Sequence, residues 1–150
     1  MQKYIGCKMV EAEPVEHGYK VRYADGYESF SPKEVFEKAY MPIGDNNTIT
    51  QENVSGFIKG IYSATIGEKT TFVKVTLING FELCETSSCV DPKNYNKEIG
   101  IQCCLDRIFD KIWHLLGFLL QTAVGGLKMP DDAIMDNDTY EILRRKYERK

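Results

Sequence analysis

The chain has 150 residues, of which 43% are hydrophobic and 27% are charged, and its formal net charge is −3. These values exclude a wholly disordered or fibrous protein, and the small negative charge argues against a dedicated nucleic-acid binder. No run of residues reaches the roughly 20 apolar positions of a membrane span, and the first residues have no signal-peptide pattern. We therefore expect a cytoplasmic protein with no membrane and no nucleic-acid polymer among its partners.

The first part of the chain alternates strand and turn signals. Residues 4–12 are rich in β-forming side chains, and residues 19–23 alternate apolar and polar side chains as a half-buried strand does. Asp25-Gly26 marks a tight turn, after which residues 27–30 continue the alternation. We therefore predict three short strands in this part.

A helix is predicted directly after these strands. Ser31 is a candidate N-cap, Pro32 suits the first helical position, and Glu34 completes a capping box. Pro42 ends the helix, and the polar residues 44–49 separate this module from the next.

The next segment predicts a helix and then a β-hairpin. Thr50 is a candidate N-cap for a helix over residues 51–63, which has an apolar face. Residues 70–78 and 81–86 read as two strands joined by a two-residue turn at Asn79-Gly80.

The longest predicted helix spans residues 92–116. Its apolar residues recur every three or four positions and cover more than one face. One face is wide enough to cover the hairpin, so the predicted fold class is α+β: a small N-terminal strand and helix module joined to an antiparallel hairpin packed on a long helix. The apolar surplus predicts a homo-oligomer, and it comprises Phe109, Trp113, Leu116, Phe118, Leu119 and Leu120.

This pattern divides the chain into three parts: an N-terminal module over residues 1–43, a domain over 50–120 and a tail over 121–150. The tail is acidic and then basic, and it ends in a short predicted helix over 139–148 with Asp138 as its cap.

Catalytic and cofactor motifs are missing from the sequence. It has neither a dinucleotide-binding nor a P-loop glycine pattern, and its two histidines are His17 and His114. A nucleophilic pair of Cys89 and His114 is arithmetically possible, but no spacing favours it. The five cysteines lack the paired spacing of a zinc site and read as ordinary thiols. We expect no enzyme activity, no cofactor and no metal.

One helix face is a candidate anion site. Arg107, Lys111 and His114 follow one another at helical spacing, so they line one face of the long helix. Positive groups one turn apart are suited to an anion such as phosphate. The alternative is a solvated helix edge that Asp106 and Asp110 balance.

A second candidate group lies before that helix. Ser87 and Ser88 end the hairpin, and Asn94 and Tyr95 precede the helix proper. Backbone amides at a helix N-terminus attract anions. The side-chain hydroxyls and amide can bind the polar edges of a ligand, and the Tyr95 ring offers a face for base stacking. The alternative is a well-capped strand-to-helix connection.

The second half of the chain resembles the phage gp-forty-nine family of small accessory proteins. The resemblance covers residues 72–120 and rests on the order of its motifs: Asn-Gly at 79–80, Cys-Val-Asp-Pro at 89–92, Glu-Ile-Gly at 98–100, Asp-Lys-Ile-Trp at 110–113 and Gly-Phe-Leu-Leu at 117–120. It implies a phage or prophage origin and expression in a bacterial cytoplasm.

The N-terminal part is similar to a different phage module. Tyr-Ile-Gly-Cys-Lys at 4–8 and Asp-Gly-Tyr-Glu-Ser-Phe-Ser-Pro-Lys-Glu-Val-Phe at 25–36 carry this similarity, although the connection between Glu13 and Gly18 is short. The module commonly precedes other C-terminal domains, including those of anti-Thoeris and anti-CBASS sponge proteins.

Together these resemblances imply a function in phage immune evasion. They imply a non-enzymatic protein that binds a cyclic nucleotide immune signal and withholds it from CBASS or Thoeris effectors. We expect its ligand-binding residues to be Ser87, Ser88, Asn94, Tyr95, Arg107 and Lys111. The alternatives are a phage accessory protein that inhibits a host protein, and an enzyme that hydrolyses the same signal.

Overall fold

The first of two antiparallel sheets lies in the N-terminal part of the chain. The computed structural model describes residues 1–131 and 136–148. Its first sheet has the order β1-β2-β3, and a short helix, α1, follows it. The elements are β1 (Glu11–Val15), β2 (Gly18–Arg22), β3 (Glu28–Pro32) and α1 (Lys33–Ala39).

The second sheet has the order β4-β5-β6 and carries the long helix on one face. Its elements are α2 (Gln51–Gly56), β4 (Ile58–Ile66), β5 (Thr70–Leu77), β6 (Glu82–Ser88) and α3 (Lys97–Gly125). A 3-10 turn over Pro92–Asn94 precedes α3, and α4 (Asn137–Tyr147) ends the described chain. The fold is therefore α+β, as the sequence predicts.

The core lies between the second sheet and α3. Every second residue of β5 is buried, and the buried residues of α3 recur every four positions, so one sheet face meets one helix stripe. The buried side chains include Val73, Val75 and Leu77 from β5, and Cys104, Ile108, Ile112 and Leu116 from α3.

The hairpin between β5 and β6 is confirmed, but its loop has a different length. The Leu77 N–H donates to the Phe81 carbonyl over 2.8 Å, which leaves three loop residues instead of two. Gly80 occupies the left-handed region with φ 88°, as the third residue of such a loop does.

The prediction for the N-terminal segment was wrong in two respects. The first strand covers Glu11–Val15 and not residues 4–12. Pro14 is tolerated within it because β1 is an edge strand. Ser31 lies in β3, and α1 begins after Pro32 without any side-chain cap, so the predicted capping box is absent from this described helix.

The helix predicted over residues 51–63 ends at Gly56. Thr50 caps it as predicted, through a reciprocal capping box with Asn53. From Ile58 the chain becomes β4, because pairing with β5 satisfies its backbone groups and glycines weaken a helix there.

The long helix begins and ends later than predicted. Asp91 caps only the 3-10 turn, and α3 starts after its own cap, Asn96. It continues through Gly117 to Gly125, because a single glycine in a helix costs only local propensity.

The tail helix α4 is capped by Asp136 and not by Asp138. Asp132 in the acidic stretch, and Arg149 and Lys150 in the basic end, lie outside the described residues.

Part of the apolar surplus on α3 packs against the core of the same chain. Leu116 is buried, and Phe109 packs against the core, whereas Phe118 and Leu119 remain exposed. No helix in the described part of the chain is long and apolar enough to cross a membrane.

Candidate functional site

A cluster of one carboxylate and two cations lies where α3 crosses β6. Arg107 Nε donates to Glu85 Oε2 over 3.1 Å, and Lys111 Nζ donates to the other oxygen, Oε1. Arg107 Nη2 also donates to the backbone carbonyl of Thr86. We call Glu85, Arg107 and Lys111 the Glu85 cluster.

The charges of this cluster do not cancel. Two cations face one carboxylate, so the cluster carries one net positive charge. The Glu85 side chain is only 17% exposed, whereas those of Arg107 and Lys111 are 47% and 48% exposed. The hydrogen bond from Lys111, and secondarily that from Arg107, lowers the pKa of Glu85 against the opposing effect of burial. The carboxylate therefore stays charged and orders two cations that remain open to solvent.

Tyr95 takes part in a second polar cluster. Its hydroxyl lies 2.8 Å from Thr65 Oγ1 and 2.9 Å from Thr71 Oγ1. Thr71 is fully buried, and Tyr95 is half-buried. The three residues, which we call the hydroxyl cluster, tie the connection before α3 to strands β4 and β5.

The two predicted serines lie on opposite faces of β6, as consecutive strand residues do. Ser87 pairs with Thr71, and its side chain faces the same side as Glu85, two residues away. Ser88 pairs with Thr70, and their hydroxyl oxygens are 2.8 Å apart.

Asn94 lies in the 3-10 turn, where its backbone N–H donates to the Asp91 carbonyl. Its side chain is exposed. The N-terminus of α3 begins later, and the side chain of Asn96 accepts its Ile99 N–H.

Four of the six predicted site residues therefore fall along one polar edge of the sheet and helix. The edge runs from Tyr95 past Ser87 to the Glu85 cluster. Ser87 and Glu85 are alternate residues of β6, so they are about 7 Å apart along the strand. Ser88 lies on the other face of the sheet, and Asn94 lies in the exposed turn.

Sequence reasoning missed Glu85, Thr65 and Thr71. Glu85 could have been found, because it alternates with Leu83 and Ser87 and so shares their sheet face. Thr65 had no such signal, since no strand was predicted over its position.

A separate apolar cleft of about 880 Å³ opens near the C-terminal part of α3. The segment before β1 forms one of its walls, and the Cys7 thiol lies 3.6 Å from the Leu119 carbonyl there. Other lining residues are Ile5, Tyr40, Phe57, Phe81, Leu115 and Phe118.

The thiols and acidic groups do not form a metal centre in residues 1–131 and 136–148, where no three such groups converge. Cys104 is a core residue, and burial raises the pKa of its thiol.

A family model described as "Phage protein (N4 Gp49/phage Sf6 gene 66) family" matches residues 49–124. The matched segment contains α2, the second sheet and almost all of α3, and with them both polar clusters. No curated protein and no solved structure matches the chain.

Proposed function

Because the chain belongs to the phage protein (N4 Gp49/phage Sf6 gene 66) family, we propose that it is a phage immune-evasion protein that binds and sequesters a cyclic nucleotide. The ligand is a CBASS- or Thoeris-type immune signal, and it is withheld without being cleaved. The similarity of the N-terminal module to those of phage sponge proteins supports this function, and the Glu85 cluster is the observation that carries it.

The Glu85 cluster supports phosphate binding through its charge and its order. Arg107 and Lys111 are each about half exposed, and the shared carboxylate holds them side by side. A phosphodiester that approaches from solvent meets donors that have already lost much of their side-chain freedom. The planar guanidinium of Arg107 also suits bidentate recognition of phosphate.

Tyr95 supports base binding on the same polar edge as these cations. The hydroxyl cluster fixes the ring at its hydroxyl end, so its orientation does not depend on the ligand. A base stacked on an aromatic ring gains about 1–3 kcal/mol. Sequestration requires such contacts and no bond-breaking group.

A second subunit is part of this proposal. Asn94 lies in the 3-10 turn before α3, and Arg107 lies ten residues beyond the start of that helix at Lys97, roughly 15 Å along its axis. One small ligand does not reach both from a single chain. In a homo-oligomer, a neighbouring chain brings its own turn or helix end to the ligand.

The test is retention and recovery of ligand. The purified chain is equilibrated with cyclic mono-, di- and trinucleotides and cyclic ADP-ribose, and the bound compound is identified after heat denaturation. Sequestration predicts that an intact compound returns. A degraded product indicates an enzyme, and a chain that retains none of these compounds contradicts the proposal.

The alternative function is inhibition of a host protein. The observation that favours it is the set of exposed aromatic side chains in the N-terminal module, namely Tyr4, Tyr27 and Phe30. Truncating these side chains to alanine leaves nucleotide retention unchanged if the ligand site is the Glu85 cluster. Loss of an anti-defence effect in the same variants, without loss of retention, would favour a protein target.

A further inference from the structure

The outer edge of β4 is an open strand edge. β4 forms one side of the second sheet, and in the described part of the chain its pairing partner is β5. It is nine residues long, Ile58–Ile66. The backbone groups on its other side therefore offer a row of donors and acceptors to a further strand.

The other outer strands carry features that oppose pairing. β1 contains Pro14 between exposed residues and bears Glu11 and Glu13. β3 is only five residues long and ends in a proline. β6 bears Glu82 and Glu85, and the Arg107 guanidinium already occupies its Thr86 carbonyl. Charge, proline and short length are the devices that keep strand edges apart.

β4 has almost none of these devices. Its single charged residue, Lys59, and its one irregularity, a register shift between Ile58 and Gly60, both lie at the same end, and it contains no proline. Its middle and far end are apolar and open: Ile61 is 55% exposed, Tyr62 58% and Ile66 54%. A long edge with little charge and exposed apolar side chains is suited to strand addition.

We propose that β4 is a homodimer interface, in which β4 of a second copy pairs antiparallel with it and joins the two sheets into one. The residues of β4 are compatible with pairing to β4 of a second copy. A register centred on Tyr62 places that residue on the two-fold axis and pairs residues 60–64 of the two copies, clear of the irregularity at Lys59. No like charges then face each other, and the two Tyr62 rings adjoin.

The proposed pairing forms a closed dimer. Each chain contributes one β4 edge, so the two-fold contact uses both edges and leaves none for a third copy. The interface concerns the assembly, and it stands whether or not the chain binds a nucleotide. Thr65 lies in the pairing strand and also holds Tyr95, so the interface borders the hydroxyl cluster.

The first test is the mass in solution. At micromolar concentration we expect twice the chain mass of 17.2 kDa by light scattering. Tyr62→Lys sets two ammonium groups against each other on the axis and halves the measured mass. Far-UV circular dichroism shows whether the variant keeps its fold. Phe118→Lys is the matched control, because Phe118 is an exposed aromatic residue on α3, and it leaves the mass unchanged.

The second measurement is hydrogen exchange of the β4 backbone. In the paired form, the β4 amides that point away from β5 exchange more slowly than the outward amides over residues 11–15 in the unpaired edge of β1. Tyr62→Lys removes that difference. A wild-type monomer, a Phe118→Lys variant that alone becomes monomeric, or a dimer whose outer β4 amides exchange as fast as those of β1 would each overturn the proposal.

Discussion

Gly100 of α3 packs directly against Thr71 of β5 in the second sheet. A Cβ atom built on Gly100 would lie 2.1 Å from Thr71 Oγ1 and 2.7 Å from Thr71 Cβ. Both residues are buried, and Thr71 belongs to the hydroxyl cluster. The absence of a side chain at Gly100 therefore sets how close the first turn of α3 comes to β5, and it keeps Tyr95 in place.

Gly100→Ala is expected to destabilise the protein. The new methyl group displaces a fully buried threonine, and such overpacking costs about 1–3 kcal/mol. The higher helix propensity of alanine offsets up to about 1 kcal/mol of this cost. We therefore expect the free energy of unfolding to fall by about 1–2 kcal/mol. Chemical denaturation with urea measures the free energy of unfolding.

Gly117→Ala is the matched control for this prediction. Gly117 lies in the same helix and is exposed, and a Cβ atom built on it would meet no atom within 4 Å beyond the adjacent helix backbone. Alanine there is expected to stabilise the protein by about 0.5–1 kcal/mol. Equal effects of the two substitutions would contradict the close approach at Gly100.

Tyr95→Phe is expected to cost about 1–3 kcal/mol, because it leaves the buried Thr71 hydroxyl without its partner. Adding Thr71→Val removes the second polar group and restores most of that loss. The free energies of unfolding of both single variants and the double variant measure the coupling. Additive losses would show that the two hydroxyl groups do not interact.

The Glu85 cluster predicts a pH dependence of stability. The pKa of Glu85 is lowered in the folded protein from its ordinary value of 4.5. The charged carboxylate therefore stabilises the fold above that value, and this contribution is lost as the pH falls through the lowered pKa. We expect the stability difference between wild type and Glu85→Gln to shrink in acid, as measured by urea denaturation at several pH values. A difference that grows in acid would contradict the assignment.

Lys111→Ala is expected to weaken retention of a bound cyclic nucleotide by about tenfold, which corresponds to about 1.4 kcal/mol. The reason is the loss of one of two ordered cations. Lys74→Ala is the matched control, since Lys74 forms a comparable exposed ion pair with Glu82 over 3.2 Å. Equilibrium dialysis measures both. Retention that falls equally in the two variants would indicate a general charge effect.

Ionic strength offers an independent measurement at the same site. Added salt screens exposed charges, so it is expected to weaken retention by the wild type. Because Lys111→Ala has lost one cation, its retention should depend less steeply on salt. Parallel salt dependences for the two proteins would mean that Lys111 does not contact the ligand's charge.

The amino-acid sequence determined the local features of the fold. The hairpin at Asn79-Gly80 lies where predicted, since a residue with positive φ is required there and glycine supplies it. The apolar stripe of α3 and the Thr50 cap of α2 also follow from side chains a few positions apart.

Tertiary structure alone decided the features that join distant residues. Residues 58–63 carry an apolar helical pattern, yet they form β4 because β5 satisfies their backbone hydrogen bonds. The two cations on α3 become an ordered cluster only because Glu85 meets them from 22 and 26 positions away. Patterns within one element predict which face is buried, but they do not specify which residue of another element lies opposite, because that is fixed by how the sheet and helix pack.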